Sequence, residues 1–445
     1  MRSIIILAWW PLLAHTQPLP PAPHREVHDL TAEPGYFTEP SIAVNPRDPG
    51  QVVAAFQDNA HISFSRDSGR HWQAATGIAP PNYRVSGDVS VTYDNRGHAI
   101  ICYMAFDKLG RDSYWAYNAT RNGLFVRRSL DGGATWEGNH IPIVEHPSEP
   151  NIPWEDKPYI VADDTNGPFS GNLYVGWTRW TLSDSQILLA RSTDGGLTWA
   201  PPVEINGRRG LPRDDNGALE GFAGAVAGDG TLYAVWSSND RLQFTFSRDG
   251  GRTFAPVRDI LQTGPTMFRV QDFSRGNGFP QIAVDRRAAP PGRLYVTWSD
   301  YTNGGVDVFC AASADGGGTW AAPVRVNSDA PHNGADHFFQ WLAVDRATGD
   351  VDLLFYDRRA DALNRTETVT LARSTDGGRS FANYAWTSEP FQTNEIVFMG
   401  DYSGIAAYNG RVYGIWTEKP KGEGDSMARG TVVRVGVADF GAAGR

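Results

Sequence analysis

Apolar runs in this chain are short and come in pairs. Each pair is a strand-like run, a Gly or Asn turn, and a second run that ends in an aromatic and then a polar residue. Seven such units follow one another: "SIAVNPRDPGQVVAAFQD" (41–58), "VSVTYDNRGHAIICYMAFD" (89–107), "YIVADDTNGPFSGNLYVGWTR" (159–179), "GAVAGDGTLYAVWSSND" (224–240), "QIAVDRRAAPPGRLYVTWSD" (281–300), "WLAVDRATGDVDLLFYDRR" (341–359) and "SGIAAYNGRVYGIWTE" (403–418). A third run follows the first six, as in "QILLAR" before Ser192 and "TVTLAR" before Ser374.

After that third run comes a fixed box, Ser-x-Asp-x-Gly-x-x-aromatic. It occurs six times, with first residues at 65, 129, 192, 247, 313 and 374, so the spacing runs from 55 to 66 residues. A period of that size marks a repeat architecture. Another short run often follows, such as "PVEI" (202–205), which makes the box a hairpin turn. Its carboxylates, Asp67, Asp131, Asp194, Asp249, Asp315 and Asp376, are expected to bond backbone N–H groups of the turn. Its Gly takes positive φ, and its aromatic packs between sheets. One carboxylate per turn is too few for calcium, and no metal or cofactor is expected.

The pairs, the third runs and the boxes predict an all-β chain, a single β-propeller of about seven four-stranded blades. Six is the alternative if the first or last pair is not a blade. The seventh pair has no box, but "TVVRVGVADF" (431–440) supplies a third strand, and the N-terminal stretch near "REVHDL" (25–30) is expected to supply the fourth and close the ring. Residues 1–16 read as a signal peptide, with one Arg and an apolar run from Ile4 to Ala14. Residues 17–24 read as a Pro-rich extended leader and 25–445 as the propeller. The expectation is a secreted or periplasmic monomer with no membrane span. A net charge of −10 argues against a general nucleic-acid partner. The two cysteines, Cys102 and Cys310, are expected to be free thiols.

With boxes on one face of the disc, the other face is built from residues before first strands and after second strands. Before first strands stand Glu39, Asp88, Asp156, Lys157, Glu220, Arg269, Asp272, His337, Gln340, Asp401 and Tyr402. Carboxylates, arginines and aromatics around a propeller mouth suit a sugar ligand.

Six Ser-x-Asp-x-Gly-x-x-aromatic boxes on a propeller resemble the sialidase (neuraminidase) superfamily with its Asp-box, or BNR, repeats. The resemblance implies a glycoside hydrolase acting on a glycan or glycoconjugate, exo-sialidase-like and retaining, with a Tyr nucleophile activated by Glu, an Asp acid/base and an arginine clamp. It implies Tyr402 as nucleophile, from "YSGI" followed by "IWTE", with Glu418 as partner of a substrate-binding Arg. It implies Glu220 as the activating base and Asp58 as the acid/base. Arg365, Arg241 and Arg358 become substrate-binding candidates, and His337 joins them if the chemistry is that of a lyase. Where the family has Arg-Ile-Pro, this chain has "FTEPSI" (37–42), which lacks the first clamp arginine, so an enzyme acting on another sugar fits about as well as a sialidase. The alternatives are a non-catalytic glycan- or protein-binding propeller and a polysaccharide lyase on the same scaffold.

Overall fold

The computed structural model describes residues 18–76, 82–111, 113–147, 151–288, 292–387, 389–420 and 430–441, so the signal-like segment 1–16 lies outside the described residues. Among these residues there is no helix, and hence none long and apolar enough to cross a membrane. Seven four-stranded antiparallel sheets stand around one axis as the blades of a propeller. The innermost strands of blades I to VII are Thr38–Val44, Val85–Tyr93, Trp154–Ala162, Leu219–Val226, Gln281–Asp285, His337–Val344 and Gly404–Tyr408. In blades I to VI the chain then meanders outward, strand by strand. Blade VII takes its outermost strand, Glu26–Asp29, from the opposite end of the sequence, with Glu26 opposite Val437 and Asp29 opposite Arg434. The seven-blade count and this closure are as the sequence predicts. The leader is not free: Ala22 donates its N–H to Ala385 O at the edge of blade VI and is buried.

Each blade is covered by its neighbours on both sides, so its inner strands are apolar on both faces; Leu219–Val226 is buried at every position. The cores lie between blades. Between III and IV, for example, Tyr174, Ile187 and Leu189 pack on Phe222, Leu232 and Trp236. Cys102 and Cys310 are buried free thiols in these layers. Serine side chains bridge adjacent inner strands: Ser41 Oγ accepts from Val91 N and Ser90 Oγ from Ile160 N, both at 3.1 Å.

The boxes form the expected turns. Ser192 Oγ donates to Asp194 Oδ1 at 2.8 Å and accepts from Gly196 N at 2.9 Å. Asp194 Oδ1 also accepts from Leu197 N and Thr198 N, both at 3.0 Å. The Ser-to-Asp bond recurs at Asp67, Asp131, Asp249, Asp315 and Asp376. Gly196 sits at φ +88, where a Cβ is strained. Each box follows the third strand of its blade, level with the end of the inner strand: in blade III, Ala162 and Ser192 both pair with Leu173. The starts of the inner strands therefore form the opposite face.

Candidate functional site

Five inner strands begin with a break in register on that opposite face. In blade I the pairing skips from Thr38 to Ser41, in II from Gly87 to Ser90, in III from Asp156 to Tyr159, in IV from Glu220 to Ala223, and in VI from Phe338 to Trp341. A residue of positive φ marks each skip: Glu39, Asp88, Lys157, Gly221 and Phe339, at +53, +46, +53, +75 and +54. Bulges of this kind re-aim side chains, and a non-glycine residue held at positive φ is strained. Of the four non-glycine residues so held, three are charged. At Gly221 a Cβ would also meet the Phe279 ring at 2.6 Å.

The bulges gather Glu39, Asp88, Asp156, Lys157 and Glu220 around the axis, where Asp401 and Tyr402, just ahead of the blade VII inner strand, join them. Two connections between blades complete the group. Arg275 lies in a small hairpin, Met267–Phe268 paired with Gly276–Asn277, between blades IV and V. Its guanidinium forks onto Asp401, with Nε at 2.8 Å from Oδ1 and Nη2 on Oδ2, while Nη1 donates to Asp214 at 2.5 Å. Asp214 lies between blades III and IV, and its N–H is tied to Ser113 O of a third loop. Asn277 Nδ2 donates to Asp401 O at 3.0 Å.

Lys157 Nζ lies 3.8 Å from Asp401 Oδ2 and 4.4 Å from the centres of the Phe279 and Tyr402 rings. Below it the channel narrows to a cavity of about 20 Å³, lined in part by Tyr402, Trp341 and Phe222. Farther down, segments of all seven inner strands line a second cavity of about 420 Å³ that opens on the box face, with Arg286 and Arg346 sharing Asp164 beside it.

Six carboxyl groups and two cations thus share one largely buried site, and their charges sort accordingly. Burial, then the neighbouring Asp88, pushes Glu39 and Asp156 well above the usual carboxylate range. Burial, then Asp214, does the same to Glu220. Burial also opposes the charge on Asp401, but Arg275 and Lys157 outweigh it and hold Asp401 ionised. The arrangement sets carboxyls raised by burial beside one that two cations hold down, so neighbouring acids in one site are pushed apart in pKa.

The residues singled out in the sequence fall into two groups. Tyr402 and Glu220 are both at the axis, but they do not bond each other: Tyr402 Oη donates to Val89 O at 3.5 Å, and its charged neighbours are Asp88 and Glu39. Asp58 is half-buried in the turn after the second strand of blade I, its Oδ1 without a partner.

The expected clamp and binding residues stand apart, and none touches the axial carboxyls among the described residues. Arg358 is fully buried, bonded to Glu367 and to the carbonyls of Gln271 and Asn364. Arg365 is 49% exposed and pairs with Asp272 at 3.3 Å. Arg241 lies between Asp240 and Asp259 at the surface. Glu418 pairs with Arg434 at 2.9 Å. His337 is sealed between blades V and VI among Asp307, Asp329 and Asp357. Arg275 and Asp214 were missed because they belong to no strand pair. The pointers to them in the sequence are the unusually polar connections "PRDDNG" (212–217) and "SRGNG" (274–278).

A seven-bladed propeller with boxes on one face and a polar axial site on the other is a sialidase-like propeller. No family model matches the chain. It is similar to a sialidase of Micromonospora viridifaciens, 24% identical over 364 residues that cover 77% of this chain and 50% of that protein. It is also similar to the xyloglucanase Xgh74A of Acetivibrio thermocellus, 27% identical over 340 residues covering 70% of this chain and 34% of that one. The chain thus spans half the length or less of these two relatives. In fold it is similar to the alpha-L-arabinofuranosidase Arb93A of Fusarium graminearum, with a TM-score of 0.52 and 14% identity, covering 82% of this chain and 96% of that one. The phage phi92 endosialidase gives a TM-score of 0.52 at 11% identity, covering 93% and 69%.

Proposed function

We propose that this chain is a glycoside hydrolase that works at the axial carboxyl cluster, with Glu220 as the general acid. The observation that carries the proposal is the state of Glu220. It is 5% exposed, its carboxyl shares a hydrogen bond with that of Asp214, and burial, then Asp214, raises its pKa well above the usual carboxylate range. A neutral acid of this kind can protonate the leaving oxygen of a glycoside. A carboxylate of the Glu39–Asp88–Asp156 group, when ionised, stabilises the cationic sugar or activates a water. The relatives named sialidase and xyloglucanase, and the fold shared with an arabinofuranosidase, support the hydrolase class. Export, supported by the apolar run Ile4–Ala14, and a monomeric state belong to the same proposal.

The second reading makes Tyr402 the nucleophile of a retaining, exo-sialidase-like reaction. It is favoured by the place of Tyr402 at the axis beside Asp88 and Glu39, with Asp88, when ionised, able to take its proton.

The test is turnover on a panel of aryl glycosides that includes an aryl sialoside. Glu220→Gln is expected to cut turnover by about 10²–10⁴ with the melting profile retained. Tyr402→Phe is expected to cost under about tenfold if carboxyls alone do the chemistry, and several orders of magnitude if Tyr402 attacks. Full activity of folded Glu220→Gln removes Glu220 from the mechanism.

A further inference from the structure

Among the described residues, five Tyr and Phe side chains are exposed, between 38% and 74%: Tyr36, Tyr114, Tyr117, Tyr301 and Phe398. Scattered singly, exposed apolar groups mean little. These five all lie on the face of the axial site. Tyr36 and Phe398 precede the inner strands of blades I and VII. Tyr114 and Tyr117 follow the second strand of blade II, Ala99–Phe106, and Tyr301 follows that of blade V, Arg293–Asp300. Three of them are fastened to the loops that carry the axial charges. The Tyr114 ring centre is 5.9 Å from the guanidinium of Arg213, the neighbour of Asp214, and Asp214 N donates to Ser113 O. The Phe398 ring centre is 5.3 Å from the guanidinium of Arg275. Tyr301 meets Phe268 edge to face, ring centres 6.1 Å apart, and Phe268 pairs with Gly276 in the hairpin of Arg275. Asn216 and Met267 exchange two hydrogen bonds, at 3.1 and 3.0 Å, that lock the Asp214 connection to that hairpin. The Asp214–Arg275 ion pair thus spans the start of blade IV, where Glu220 lies, with exposed aromatics at either end of the braced ridge.

Resting on the hydrolase reading, we infer that this face binds a linear polysaccharide of neutral pyranose rings with equatorial hydroxyls. The chain runs over Glu220, with sugar rings stacked on Tyr114 at one flank and on Tyr301 at the other. A pyranose whose hydroxyls are equatorial presents C–H groups on both flat faces, and such a face packs on an aromatic ring as an apolar side chain does. The Tyr hydroxyls, at the ring edges, donate to or accept from the sugar's own. Arg213 beside Tyr114 and Phe268 beside Tyr301 already restrict these rings, so little side-chain freedom is lost on binding. An aromatic on one side of an acid serves a sugar at a chain end. Aromatics on both sides serve a chain that continues past the acid in both directions. A protein partner needs a broad patch, roughly 800 Å² on each side, whereas these rings stand apart on separate loops with Asp214 and Arg275 between them.

The test is calorimetric titration of the whole chain with cello-oligosaccharides of two, four and six rings, for the parent and for Tyr114→Ala and Tyr301→Ala, whose melting profiles report folding. Expected are affinity that rises at least about tenfold from two rings to six, and a loss of about five- to tenfold for the six-ring sugar in each variant, with the two-ring sugar little changed. Binding of none of the three, affinity that does not grow with length, growth that survives the substitutions, or a loss confined to one flank would overturn the inference. Sedimentation of the same samples covers the other use of such a face. Self-association of the parent that Tyr114→Ala abolishes, in place of glycan binding, makes the rings an interface between copies and overturns it too. Turnover of the aryl glycosides, and chromatography of the six-ring sugar after titration, separate the two ideas. Length-dependent binding without any turnover sinks the hydrolase and leaves the platforms standing. Turnover without length dependence does the reverse.

Discussion

Ser192 shows how much one hydroxyl does in the repeated turn. It is 1% exposed, accepts from Gly196 N and donates to Asp194. Removing it leaves the buried Gly196 N–H without an acceptor, which costs about 1–3 kcal/mol. Ser192→Ala is therefore expected to lower stability by that amount in denaturant titration, with turnover per folded molecule unchanged. Trp199, the residue just after the Asp194 ladder ends at Thr198, is only partly buried and its Nε1 has no partner. Its truncation is expected to cost about 2 kcal/mol, short of the roughly 3–5 kcal/mol of a fully buried Trp. The role of each box residue was readable because the motif repeats and a turn is local chemistry.

At the scale of elements, blades V and VI are joined through charge. His337, on the blade VI inner strand, faces Asp357 at 3.2 Å, Asp329 at 3.4 Å and Asp307 of blade V at 3.8 Å, with Arg325 and Arg359 completing the group. Burial disfavours its charge, but Asp357 and Asp329 outweigh burial and raise its pKa. A raised histidine pKa contributes stability that is complete below the unfolded value of about 6.5 and is lost as pH rises through the folded value. The melting temperature is expected to fall above about pH 6.5, and His337→Gln is expected to flatten that part of the profile while lowering stability throughout. A folded variant with the parent's slope above pH 6.5 would remove His337 as its source. The polarity of His337 was visible in "HFFQWLAV" (337–344), but its partners come from blade V and from the far end of the second strand. Nothing in a one-dimensional pattern separates such a blade-to-blade lock from a ligand-binding histidine. The same holds for Arg358, whose partner Glu367 lies nine residues on but across a hairpin.

For the whole molecule, two sets of carboxyls pull stability in opposite directions with pH. Backbone and side-chain bonds from Thr319 hold Asp315 at about 2, and its five counterparts are likewise depressed; such groups stabilise above about pH 4 and lose that contribution as pH falls. Glu39, Asp156 and Glu220 are raised by burial first, and burial lifts Asp352 to about 7, so their contribution is complete below about pH 4 and declines as pH rises. The melting temperature is therefore expected to peak in mildly acidic buffer, at about pH 4 to 5, and a plateau extending past pH 8 would contradict the raised values. The ring of seven was legible in the chain because each blade repeats the same apolar runs. Most of the axial residues were legible as strand starts, Glu39, Asp88, Lys157 and Asp401 among them. Which of them would meet was not, because the positive φ of Glu39 or Lys157 is imposed by packing rather than by residue type.

The closure of blade VII also sets an order of events in time. Asp29 and its partner Arg434 are 405 positions apart, so at about 5–20 residues per second the ribosome needs roughly 20–80 s to make one after the other. Throughout that wait the first-made strand has no sheet to join. Its sequence, Glu-Val-His-Asp, is short and charged, which makes it a poor template for stray chains. The strand that waits longest for its partner is thus also one of the least adhesive, and the ring can stay open during synthesis without inviting a neighbour to fill the gap.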